Sequence, residues 1–113
     1  MADYNYPAHD LEAVKAMVRV GFLNYRPQAL DTAAEMDMDR HNISECILGL
    51  ECDDFHKSMD ALNPKWAGAR QDVYKPHYGG EWLYVKFQLW PLKVKRLYIL
   101  SFKRKVNDDD DRD

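Results

Sequence analysis

Tyr84, Lys86 and Gln88 stand at every second position of the run 81–90, a spacing that puts them on one side of a β-strand and Leu83, Val85, Phe87 and Leu89 on the other. In the partner run 96–103, Tyr98, Leu100 and Phe102 fit the apolar side, which leaves Ser101 and Lys103 beside Tyr84 and Lys86. Such a face suits phosphate chemistry. Ammonium groups offset the charge of a pentacoordinate phosphorane, and a phenol or an amine, both with reference pKa near ~10, becomes a usable proton carrier once neighbouring cations lower that value. RNA is the matching substrate, because its own 2′-OH is the nucleophile and the protein has only to move protons and stabilise charge. The same residues also fit a plainer reading, in which Tyr84 packs its ring on the sheet and the lysines form a solvated, aggregation-resistant edge.

Charge favours the phosphate reading. Residues 61–107 carry ten Lys/Arg against two Asp/Glu, whereas residues 1–60 carry five against twelve and residues 108–113 one against five. The net charge of −3 therefore hides a basic second half, and the local field is what concentrates a polyanion. Glycine-rich phosphate loops, His-Glu-x-x-His, Cys-x-x-Cys and Gly-x-Ser-x-Gly are all missing, so the expected chemistry uses neither a metal nor a cofactor. His9, His41, His56 and His77 are scattered, and only His56, beside Lys57, lies near other candidates. Cys46 and Cys52 suit reduced residues of a cytoplasmic protein, and no run has the length and apolarity of a membrane span or an export signal.

The elements that must position this face follow in order along one domain, residues 1–113. Residues 1–9 read as a loose arm. Asp10 caps a first helix, with Leu11, Val14, Met17 and Val18 on one side, that Gly21 ends. Pro27 opens a second helix over 28–36, and Asp39 a third whose buried stripe is Ile43, Cys46, Ile47 and Leu50. The segment 51–59 reads as one or two further helical turns and 60–70 as a loop. The period then changes to two: a strand over 71–76, a turn at Gly79-Gly80, and the long hairpin joined through 91–95. Helices first and strands afterwards predict an α+β fold, with N-terminal helices packed on one face of a C-terminal antiparallel sheet. The aspartate run within 106–113 reads as a disordered acidic tail.

Four blocks in this order, Asp54-Phe55-His56-Lys57-Ser58-Met59, Gln71-Asp72-Val73-Tyr74-Lys75-Pro76, Leu83-Tyr84-Val85-Lys86 and Leu100-Ser101-Phe102-Lys103, resemble the motility quorum-sensing regulator family of toxins over residues 11–105. The resemblance implies a RelE-like fold and a sequence-selective endoribonuclease that cuts mRNA, at GCU-type sites in known members, restrained by a cognate antitoxin. It implies catalytic roles for Lys57, Gln71, Tyr84 and Lys103 by matching position, and strand alternation independently puts Tyr84 and Lys103 on one face. Lys86, Lys75, Arg70 and His56 are the accompanying candidates for RNA contacts. His56 replaces a tyrosine frequent in the family, the stretch 63–69 lengthens the loop before Gln71, and the acidic tail has no counterpart. Two alternatives stay open: a module that binds nucleic acid or protein without catalysis, and an mRNA interferase that needs the ribosome.

Overall fold

The computed structural model describes residues 3–61, 68–90 and 96–105; the expectations for the 91–95 connection, the acidic tail and most of the 63–69 loop, residues 63–67, lie outside the described residues. The element order is β1 (Asp3–Tyr4), α1 (Leu11–Val20), β2 (Leu23–Tyr25), α2 (Pro27–Glu35), α3 (Arg40–Leu48), a 3-10 turn (Cys52–Asp54), β3 (Phe55–Asp60), β4 (Arg70–Tyr74), β5 (His77–Tyr78), β6 (Glu81–Trp90) and β7 (Arg96–Arg104). The strands form one sheet in the order β1-β3-β4-β6-β7-β2, with β5 folded back on β6. Every pairing is antiparallel except β2 on β7. The chain is thus α+β, with its helices ahead of most of the sheet.

Local signals place the helices. The Asp10 carboxylate accepts from Ala13 N, and Gly21 closes α1 at φ 78°, a conformation in which a side chain would strain the backbone. Pro27 occupies the first turn of α2, where its missing N–H costs nothing. Asp39 and Asn42 form a reciprocal capping box on α3. Ala29 and Ala33 are buried and small enough to bring α2 close to the sheet, where the Thr32 hydroxyl donates to the Phe102 carbonyl at 2.6 Å. Val14, Val18, Ile43 and Ile47 complete the helix side of a core whose sheet side is Leu83, Val85, Phe87, Leu97, Ile99 and Phe102.

Three elements differ from expectation. The helical turns expected over 51–59 are confined to Cys52–Asp54; Phe55–Asp60 is strand, because its backbone pairs with β4 on one side and β1 on the other. Tertiary pairing there outweighs the cap-like acidic run before it. In β7 the register passes from Lys86–Ser101 to Phe87–Ile99, so a bulge at Leu100 reverses the alternation. Leu97 and Ile99 take the core side before the bulge and Phe102 after it, while Tyr98 turns to the other face opposite Gln88. Leu100 is buried but belongs to neither apolar cluster.

The N-terminal arm is the third. Asp3 and Tyr4 pair with Met59 and Ser58, and Ala8 N and His9 N donate to the two oxygens of the fully buried Asp72 carboxylate at 3.0 and 2.9 Å. His9 Nε2 lies 2.9 Å from the Arg70 carbonyl oxygen. A buried carboxylate needs such donors, and the arm supplies them, so residues 3–9 are fastened to β3 at one end and to β4 at the other.

Candidate functional site

The face of the sheet opposite the helices collects the sequence candidates. From β6 come Tyr84, Lys86 and Gln88; across the β6–β7 pairing, Lys103 stands opposite Tyr84, Ser101 opposite Lys86 and Tyr98 opposite Gln88. On the other side of β6, Val73 of β4 faces Lys86, and Lys57 of β3 in turn faces Val73, with Met59 opposite Gln71. No helix residue joins the small apolar cluster on this face, which is Met59, Val73 and Tyr84.

Two ammonium groups meet the Tyr84 ring, Lys103 Nζ at 4.9 Å and Lys75 Nζ at 6.0 Å from its centroid. Both distances fall within the reach of cation–π attraction, which draws the lysines over a ring otherwise held by packing. Tyr84 is 0% and Lys86 4% exposed, whereas Lys57, Lys75 and Lys103 are half-buried. The site therefore has a floor of phenol, valine and methionine and a rim of ammonium groups. In the same layer, Gln71 Nε2 donates to Gln88 Oε1 at 3.0 Å, both side chains being buried. The arrangement can hold a phosphate against lysines while a phenol and an amide sit within the same patch. Among the described residues no group of three His, Cys, Asp or Glu is placed to hold a metal ion.

Arg70 and His56 do not join this constellation. Strand alternation turns Arg70 away from Gln71, and its guanidinium lies 3.7 Å from the centroid of the Tyr4 ring and 4.9 Å from that of Tyr6 while donating to the Tyr6 carbonyl and the Ser58 hydroxyl. Arg70 thus clasps the N-terminal arm. His56 is the residue that the β3–β4 register skips, and it is exposed. Lys57 has an acidic neighbour that the sequence did not reveal, since β1 brings the Asp3 carboxylate to 3.4 Å from its Nζ. Two further residues of the face carried no assignment: Gln88, already visible in the alternation, and Tyr98, which the bulge concealed.

Residues 6–104 match the family described as motility quorum-sensing regulator, toxin of MqsA. The mRNA interferase toxin MqsR of Escherichia coli (strain K12) is 32% identical over 101 residues, 88% of this chain and 95% of that protein. No helix among the described residues is long and apolar enough to cross a membrane. The match runs from within the N-terminal arm to the end of β7 and takes in every strand that builds the basic face, and the chain belongs to the motility quorum-sensing regulator family of toxins.

Proposed function

We propose that this toxin is a metal-independent endoribonuclease that cuts mRNA on the face centred on Tyr84, preferring GCU-type sites, and so arrests translation and growth in the cytoplasm. Membership of the family and the mRNA interferase relative support the class of reaction. The observation that carries the reading is the placement of Lys103 and Lys75 over the Tyr84 ring, with Lys57 on the same face two strands away.

The 2′-oxygen of RNA attacks the adjacent phosphorus, its proton leaving to a base, and the bond from phosphorus to the 5′-oxygen breaks as that oxygen takes up a proton. Products are a 2′,3′-cyclic phosphate and a 5′-hydroxyl. Tyr84 is the leading proton-transfer residue; Lys57 and Lys103 hold the phosphate and balance the charge that grows on its oxygens; Lys86 adds to the field beneath them. Gln71 offers a hydrogen bond to the RNA. With charge balance supplied by lysine and the nucleophile by the substrate, no step calls for a metal ion. A cognate antitoxin protein restrains the enzyme, in keeping with the family description.

Purified protein with excess chelator is expected to cut single-stranded RNA and leave 2′,3′-cyclic phosphate ends, with cut sites mapping to GCU. Activity that chelation removes and a divalent ion restores would overturn the metal-free mechanism. The full burial of Tyr84 favours one second reading, in which the ribosome rearranges the site; cutting only of ribosome-bound mRNA would select it. Stoichiometric RNA binding without turnover in either setting would reduce the chain to a binding module.

A further inference from the structure

Gln88 is a fully buried amide on the floor of the site, and it is only half used. Its Oε1 accepts from Gln71 Nε2 at 3.0 Å, yet its own Nε2 has no hydrogen-bond partner among the described residues. A buried donor left in this state costs stability. Among the described residues, the hydrogen bond of the Gln88 side chain goes to a residue of the cleavage face. A glutamine side chain turns about several bonds and can leave its place on a strand face. The hydrogen bond to the buried Gln88 ties the Gln71 amide to β6, so Gln71 stays at one place beside the lysines.

We propose that Gln88 is a positioning residue of the cleavage site, which acts by holding the side-chain amide of Gln71 in place through their hydrogen bond. The inference rests on the reading of this face as a ribonuclease site. It predicts a separation of stability from activity. Gln88→Met, close in volume, exchanges the unpartnered Gln88 N–H for an unpartnered Gln71 N–H, so it should melt within a few degrees of the wild-type chain while its kcat/KM for RNA cleavage falls about tenfold, the scale of one hydrogen bond. Because Gln88 acts through Gln71, the cycle should be non-additive: Gln88→Met added to Gln71→Ala should cost no further activity.

Cleavage by Gln88→Met at the wild-type rate would overturn the proposal, as would losses that add in the double variant. A melting temperature far below that of the wild-type chain would also overturn it, by assigning the amide to the fold. The ribonuclease reading is checked separately in the same assay: wild-type cleavage that Tyr84→Phe abolishes leaves that reading intact whatever Gln88→Met does, and no wild-type cleavage removes it.

Discussion

Tyr74 and Tyr84 are both buried, on opposite faces of one sheet, and their surroundings differ in every other respect. Tyr74 faces the helices, stacked on Phe87 at 5.5 Å and edge-on to Phe55, and burial together with the nearby Asp72 pushes its phenol up to about 12. Tyr84 has valine and methionine for packing neighbours but ammonium groups above its ring. One face thus suppresses ionisation of a phenol and the other surrounds a phenol with positive charge. The sheet keeps them apart at no cost in chain length, because neighbouring strand positions point to opposite sides.

If the helix face serves only stability, truncation there should be felt in folding and not in chemistry. Phe87→Ala is expected to lower unfolding free energy by about 3–5 kcal/mol in denaturant titration, while the fraction that remains folded cuts RNA at the normal rate. A lost rate with intact stability would mean that the two faces are not separate devices.

The converse test lies on the other face. Tyr84→Phe and Lys103→Ala should each lower the cleavage rate by about two to three orders of magnitude, with melting temperatures close to that of the wild-type chain. A Tyr84→Phe protein that unfolds early and, where folded, cleaves normally would make Tyr84 a second Tyr74, a packing residue.

How much of this contrast the sequence discloses depends on the regularity of each strand. In β6 the alternation is unbroken from Leu83 to Leu89, and Tyr84, Lys86 and Gln88 can be placed on one face from spacing alone. In β7 one extra residue at Leu100 changes the phase, so Tyr98 exchanges faces with Leu97 and Ile99, and nothing local marks a bulge that contains no glycine. Residues 52–54 carry an acidic, helix-opening signature that hides the strand just after it, so only the family resemblance points to Lys57. Arg70 misled through its type. A cation beside the Gln71 block suggests phosphate contact, but its partners Tyr4 and Tyr6 are more than sixty residues away in sequence, and pairing at that distance is written in topology.

The high phenol value of Tyr74 gives the comparison a pH window. Below pH 10 both folded and unfolded chains keep this proton; between about 10 and 12 the unfolded chain releases it and the folded chain does not. The unfolded state then binds fewer protons, and stability should fall as pH rises through that interval. Tyr74→Phe keeps the stacked ring and removes the group that titrates, so its stability should decline less steeply over the same interval. Identical pH profiles for the two proteins would mean that Tyr74 ionises alike in both states and is not held in a distinct environment.

The smallest effect concerns the rim of the basic face, where β1 sets Asp3 against Lys57. The Asp3 side chain is 56% exposed and the Lys57 side chain 12%, with 3.4 Å between their charged atoms. With its carboxylate end mostly exposed, this ion pair contributes at most about 1 kcal/mol and is screened by salt. If Lys57 holds phosphate as proposed, the carboxylate beside it competes with the RNA for that lysine, and the clasp of Arg70 on Tyr4 and Tyr6 keeps the arm in place. Asp3→Asn should therefore bind RNA up to about fivefold more tightly at low salt, the factor that ~1 kcal/mol allows, with the advantage gone near 1 M salt where the Debye length is only ~3 Å. Equal affinities at low salt would show that Lys57 does not exchange Asp3 for phosphate. Tighter binding that persists at high salt would assign the gain to a moved arm, because a change in β1 packing is not screened by ions.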